Sequence, residues 1–305
     1  MRQSWHERFA ETPDVLKSAL RQKTVVPVLD LEIGGYEFVT MAGPCSVETE
    51  SELMATANHV LFQNEGTGSF TGVSYQAGLA EASIPFVKFA DGFLDYDNDG
   101  WKDLLIVNGH VYPEVDQHPE WGTSYAERPL LYRNLKNGKF EVVPAVEGTG
   151  LAVVSVGRGA AFGDIFNDGK IGVVIDNLDG VPVLLRNVNP DHHQWVELRL
   201  IGGRKSPRDA VGATVYLTAG GIRQRGDVLS GGSYLSSNDM RVHFGLGDAN
   251  DAGTAEIHWP SGAKETVKLP AVDRIYTITE GKGVTFALCG GEACPVEIDT
   301  KHSAK

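Results

Sequence analysis

The sequence predicts a mainly β protein in two parts, a short series of small repeated sheets followed by a β-sandwich-like domain, with a short α-containing segment in front. Three observations predict it. The 305 residues include 36 glycines, and short Val-, Leu- and Thr-rich runs alternate with Asn/Asp/Gly clusters, the punctuation of a chain with many turns. An acidic loop and a strand ending recur in the same order between residues 61 and 187. From residue 195 onward, apolar and polar positions alternate with the period of half-buried strands.

Residues 1–58 read differently from the rest. Thr49-Glu50-Ser51-Glu52 can form a capping box, after which Leu53, Ala57, Val60 and Leu61 fall on one helical face. Met1-Arg2-Gln3-Ser4-Trp5-His6-Glu7-Arg8 lacks the apolar core of a secretion signal, and no run approaches the roughly 18 apolar residues of a membrane span. A net charge of -13 argues against nucleic acid and anionic membranes as partners.

Residues 59–188 hold the repeat. Leu61-Phe62-Gln63-Asn64, Leu131-Tyr132-Arg133-Asn134 and Leu185-Arg186-Asn187 are similar strand ends. Phe93-Leu94-Asp95-Tyr96-Asp97-Asn98-Asp99-Gly100 aligns with Phe162-Gly163-Asp164-Ile165-Phe166-Asn167-Asp168-Gly169. Such units are small antiparallel sheets that bury their faces only by stacking on neighbours.

In the first acidic loop, Asp95, Asp97, Asp99 and Asp103 alternate around a turn that Gly100 permits, and Leu104–Asn108 follows as a strand. Hard cations take six to eight oxygens at about 2.3–2.6 Å, so this pattern suits calcium, with the main-chain carbonyl of Trp101 as a fifth donor. It is not an EF-hand, because Ile106 stands where a bidentate Glu is required. In the second loop Phe166 replaces the third-position carboxylate and Gly172 the ninth, leaving Asp164 and Asp168 as a degraded site.

The linker Val188–Gln194 is polar, and His192 and His193 within it read as solvated. Residues 193–285 then form the second β domain, with strand patterns at Trp195–Leu200, Ala213–Thr218, Arg241–Phe244, Ala255–Trp259 and Arg274–Ile278. Trp101, Trp121, Trp195 and Trp259 are expected in the core. In the tail, residues 286–305, Cys289 and Cys294 are able to pair in an oxidising compartment. His110, Asp116, His118 and Glu120 fit no common zinc spacing, and there is no nucleophile elbow or phosphate loop.

The repeat loops resemble the FG-GAP (VCBS) blades of integrin α-subunit propellers, which implies calcium in the loop of Asp95 to Asp103. Asp209-Ala210-Val211-Gly212-Ala213, Ser230–Asp239, His243-Phe244-Gly245-Leu246-Gly247 and Ile257-His258-Trp259-Pro260-Ser261-Gly262 resemble the ASPIC/UnbV domain. Residues 58–285 together are similar to the C-terminal part of bacterial proteins related to cartilage acidic protein. That resemblance implies export and a non-catalytic role in adhesion, with a protein or glycan partner. A full propeller of this kind has on the order of seven blades, whereas this chain has room for two or three; an incomplete propeller with an open edge, able to self-associate, is expected.

Leu31–Glu48, with Met41-Ala42-Gly43-Pro44-Cys45-Ser46, resembles the start of 3-deoxy-arabino-heptulosonate-7-phosphate synthase, which would make Cys45 the matching metal ligand. The synthase requires a (β/α)₈ barrel of about 250 residues, and its later ligands have no counterpart here. The alternative to an adhesion module is therefore an inactive fusion or gene fragment carrying a synthase remnant. With phosphoenolpyruvate, erythrose 4-phosphate and Mn²⁺, the purified protein is expected to show no turnover above background in a product assay.

Overall fold

In the computed structural model, residues 38–40, 61–65, 69–289 and 292–293 are described. They form five sheets. The first three are blade-like: β1 (Phe38–Thr40), β2 (Leu61–Asn64) and β3 (Phe70–Gly72); then β4 (Lys88–Leu94), β5 (Asp103–Asn108), β6 (Leu130–Asn134) and β7 (Phe140–Val142); then β8 (Gly157–Gly163), β9 (Gly172–Asn177) and β10 (Val183–Leu185). Every pairing within them is antiparallel. The architecture is mainly β, with incomplete propeller blades followed by a sandwich.

The repeat extends to backbone detail. β4 and β8 each carry an irregularity near their start, at Lys88/Ala90 and at Gly157/Gly159. β5 is buried along its whole length, as Leu104-Leu105-Ile106-Val107 demands of a central blade strand. The two copies differ mainly between their second and third strands. Residues 109–129 in the middle blade include two 3₁₀ turns, Pro113–Gln117 and Pro119–Trp121, whereas residues 178–182 suffice in the last.

The sandwich consists of β11 (Gln194–Ile201), β14 (Val242–Gly247), β17 (Arg274–Thr279), β18 (Gly283–Cys289) and β19 (Glu292–Ala293) facing β12 (Thr214–Ala219), β13 (Ile222–Asp227), β15 (Thr254–His258) and β16 (Lys264–Lys268). β11 and β17 run parallel, from Val196↔Arg274 to Ile201↔Thr279. Inward positions of both sheets, among them Leu198, Val215, Leu217, Phe244, Ile257 and Tyr276, form one buried core. Trp195 and Trp259 join the buried set.

Several sequence expectations change. The helix after Thr49 and the site at Cys45 lie outside the described residues, and Leu61, placed on that helical face by its period, opens strand β2 instead. β1 shows that part of the synthase-like segment, Phe38–Thr40, pairs with β2. Among the described residues the only α-helix is one turn, α1 (Ala80–Ser83), and no helix is long and apolar enough to cross a membrane. β18 carries the sandwich past residue 285. Cys289 is disulfide-bonded, to a partner outside the described residues. Trp101 and Trp121 are exposed, because each sits in a connection rather than in a strand.

The blades and the sandwich are laced together. The Ser230–Asp239 stretch lies along the free edges of β4 and β8: the Asp91 amide donates to Ser233 Oγ at 2.6 Å, the Phe162 amide to Asn238 Oδ1 at 3.1 Å, and the Asp239 amide to the Phe162 carbonyl at 2.9 Å. These bonds occupy part of the free edges of β4 and β8. The Gly247 amide also donates to the Asn98 carbonyl at 2.8 Å. Gly245 is required for this approach, since a Cβ there would fall 2.1 Å from Asp95 Oδ2 and 2.5 Å from the Asn98 carbonyl carbon. Gly245→Ala is therefore expected to destabilise the protein by about 1–3 kcal/mol in urea unfolding, as overpacking does. Gly231→Ala, which meets nothing within 4 Å, should stay within about 0.5 kcal/mol.

Candidate metal centre

The acidic loop joins β4 to β5, and its first carboxylate builds it. Asp95 Oδ1 accepts the Asp99 amide at 3.0 Å, and Oδ2 accepts the Gly100 amide at 2.9 Å. Asp99 Oδ1 in turn accepts the Trp101 amide at 2.9 Å. Asn98 and Gly100 adopt left-handed backbone angles of 57° and 88°, which Asn and Gly tolerate best. The second loop repeats this arrangement: Asp164 accepts the Asp168 and Gly169 amides at 3.1 and 2.8 Å, Asp168 accepts the Lys170 amide at 3.2 Å, and Asn167 and Gly169 are left-handed. A loop without third- and ninth-position carboxylates keeps the turn, so those acids are not needed to form it.

The loops differ in what their acids surround. Oxygens of Asp95, Asp97 and Asp99 come within 4.8 Å of one another, the only such group of three among the described residues. All three side chains are buried, and Asp97 Oδ1 makes no hydrogen bond of ordinary geometry. An oxygen-only, multiply charged donor set with an orphaned buried oxygen fits a hard divalent cation. These residues can hold a metal ion.

Asp103 stands apart from the three. Its Oδ2 accepts the Tyr96 amide at 3.1 Å and its Oδ1 the Asn134 amide at 2.8 Å, so it ties the loop to the end of β6. Trp101 contributes an exposed side chain, while Lys102 turns inward and donates from Nζ to the His243 carbonyl at 3.1 Å.

Burial makes these charges costly. It pushes the Asp95 carboxyl up to about 6, with Lys102 opposing and Asp99 and Asp97 adding to the rise. Burial likewise raises Asp97, and takes Asp103 to about 8 against its two amide partners. The Lys102 ammonium is lowered by burial, against the pull of Asp95 and Asp103. A cation placed among the carboxylates relieves the repulsion that the loop otherwise carries.

The second loop has a protein-borne cation. Arg241, immediately before β14, donates from Nη2 to the Asp164 carbonyl, from Nη1 to Asn167 Oδ1 and from Nε to Asp239 Oδ2, each at 2.7 Å; its Nη1 also lies 2.8 Å from Glu197 Oε2. Burial pushes Glu197 up to about 8 even so. Asp164 and Asp168 thus face a guanidinium and backbone amides, with Arg186 3.8 Å from Asp168. Above Gly169 lies the Trp195 ring, where a Cβ would fall 2.0 Å away.

Lys102, His193, Arg241 and Gly245 are the site residues that sequence reasoning missed. His193 is turned onto the first loop, its Nδ1 2.7 Å from the Asp97 carbonyl, rather than being left in solvent. The Arg of the recurring strand ending was the one available signal: Arg133 Nη2 lies 3.0 Å from Asp97 Oδ2. His110, Asp116, His118 and Glu120 form no metal group; His118 stacks on Trp121 at 4.2 Å and contacts Glu120 Oε1 at 3.0 Å on an exposed loop.

Comparison with known families gives two matches. Residues 95–175 match the model described as FG-GAP-like repeat, and residues 203–285 match that described as ASPIC and UnbV. No curated protein matches the chain.

His243 reports on the seam between the parts. Its Nε2 lies 3.0 Å from the Gly169 carbonyl, so this nitrogen carries the proton. Burial, with the Lys102 and Arg241 cations, depresses its pKa to about 3. The unfolded chain takes up this proton below about pH 6.5 and the folded protein does not, so the stabilisation is full above pH 6.5 and is lost as pH falls toward 3, by up to about 1.4 kcal/mol per pH unit. In melting curves across that window, His243→Gln should show a shallower fall in Tm than the unmodified protein.

Proposed function

We propose that the chain is a non-catalytic, calcium-binding repeat module used for protein or glycan interaction. The observation that carries this reading is the buried Asp95, Asp97 and Asp99 group with its orphaned Asp97 oxygen. Calcium fits better than magnesium, because the donors sit on a turn rather than in a compact octahedron and calcium tolerates irregular, oxygen-rich coordination. Asp95, Asp97 and Asp99 supply carboxylates, and Asp103 holds the β6 end against the loop. The ion's work is structural: it neutralises buried charge where the middle blade, the last blade and the sandwich meet.

The match to FG-GAP-like repeat and ASPIC and UnbV models supports a module of the type found in proteins related to cartilage acidic protein. An interaction surface is offered by residues 109–129, where Val111, Tyr112 and Trp121 are exposed together beside Glu114, Asp116 and Glu120. Exposed aromatic rings next to carboxylates suit sugars and peptides alike. The Cys45 segment carries no activity in this reading, since the barrel that would complete it is replaced by blades.

Calorimetry is expected to show calcium binding by the unmodified protein and a rise in Tm with calcium. Asp97→Asn should weaken binding at least about tenfold while leaving the metal-free Tm within a few degrees, because it removes charge and keeps volume. Asp103→Ala should lower Tm in both conditions, because it orphans the Tyr96 and Asn134 amides. Absence of calcium binding by the unmodified protein would sink the reading.

A further inference from the structure

The loop of Asp95 to Asp99 already has cations within reach. Lys136 Nζ lies 2.9 Å from Asp99 Oδ2, and Arg133 Nη2 lies 3.0 Å from Asp97 Oδ2. The burial is lopsided: the side chains of Lys136 and Arg133 are 49% and 43% exposed, against 5% and 1% for their acidic partners. The acids are fixed and the cations can swing into solvent at small cost.

The approach is built rather than incidental. The Asn134 amide donates to Asp103 Oδ1 and its Nδ2 to the Lys102 carbonyl, while its Oδ1 accepts the Lys136 amide at 2.9 Å. The first two bonds fasten the β6–β7 turn to the acidic loop, and the third shapes the turn itself. Lys136 itself is held at φ 63°, a left-handed conformation unusual for lysine, which points to a positional demand on this residue. The arginine recurs in the other blade as well. Arg186, at the equivalent strand ending, sits 4.3 Å over the ring of Phe166, the residue that replaces the third-position carboxylate, and 3.8 Å from Asp168. Where the acid is lost, the arginine remains over its position.

We propose that Lys136 and Arg133 are resident counter-ions of the acidic loop that exchange with the metal, holding the metal-free loop together and setting the affinity for the ion. This rests on the reading of the loop as a calcium site. When the cation enters, Asp97 and Asp99 turn their charge to it and the two side chains move out to solvent, so binding is weakened by the two ion pairs given up. The same pairs keep the buried carboxylates from repelling one another when calcium is scarce.

Calcium titration calorimetry on the full chain tests this with Lys136→Asn, which removes the charge but tolerates the left-handed backbone, Arg133→Met, the double variant, and Lys139→Asn as a control of equal charge change on the same hairpin. The two single variants are expected to bind calcium roughly three- to tenfold more tightly than the control, the size of effect a part-exposed ion pair can have, and the double variant more tightly still. Without calcium each should melt below the unmodified protein, and with saturating calcium the difference should vanish. If the unmodified protein binds calcium and both variants bind no more tightly than Lys139→Asn, the counter-ion role is wrong while the calcium site stands. If only the variants bind, the calcium reading of the native protein falls and the counter-ion role, which rests on it, falls with it. If neither binds, both readings fall.

Discussion

The first aspartate of each acidic loop is the constraint on which the rest of the molecule depends. Asp95 and Asp164 each capture two backbone amides, and both are buried. The carboxylate with two amide partners is common to both loops, and the second keeps it although other acids are lost. Burying that carboxylate is costly, however, and the cost is met differently in the two blades. In the first, Lys102 opposes the charge that Asp97 and Asp99 add to, and Arg133 and Lys136 pair with those two acids; the second offers its carbonyl and Asn167 to a guanidinium delivered by the sandwich.

This difference explains how an incomplete set of blades folds beside a sandwich. A propeller normally satisfies its inner edges and blade faces by closing a ring. Here the Ser230–Asp239 stretch supplies hydrogen bonds to the free edges of β4 and β8, and Arg241, Trp195, His243 and Gly245 cover the two acidic loops. Of the stretches that resemble ASPIC/UnbV, Ser230–Asp239 and His243–Gly247 touch the blades, while Ala210, Ala213, Ile257 and Trp259 of the other two belong to the sandwich core.

Legibility in the sequence followed how local the physics was. The strand at Leu104–Asn108, the recurring strand endings, the acidic loops and the five alternating strands of the sandwich were visible because period, turn residues and repeat are properties of neighbours along the chain. β13, β16 and β18 were not singled out: Ile222–Asp227 and Lys264–Lys268 are edge strands rich in charge, and their pairing is imposed by β12 and β15. Trp101 and Trp121 were misplaced by residue type alone, because a large aromatic ring in a connection has no neighbouring sheet to bury it. His193, read as a solvated linker residue, was drawn to the Asp97 carbonyl by the turn into β11.

By itself the sequence determined the mainly β class, the repeat, and the aspartates able to gather round one centre, since each rests on spacing within a few residues. Only the tertiary structure decided that Asp95, Asp97 and Asp99 converge, while Asp103 lies outside that group and ties the loop to β6. It also decided that Arg133, Lys136, Arg241 and His193 face the loops. Those residues come from other strands, turns and the linker, and no local pattern fixes the register that brings their charges to buried carboxylates distant along the chain.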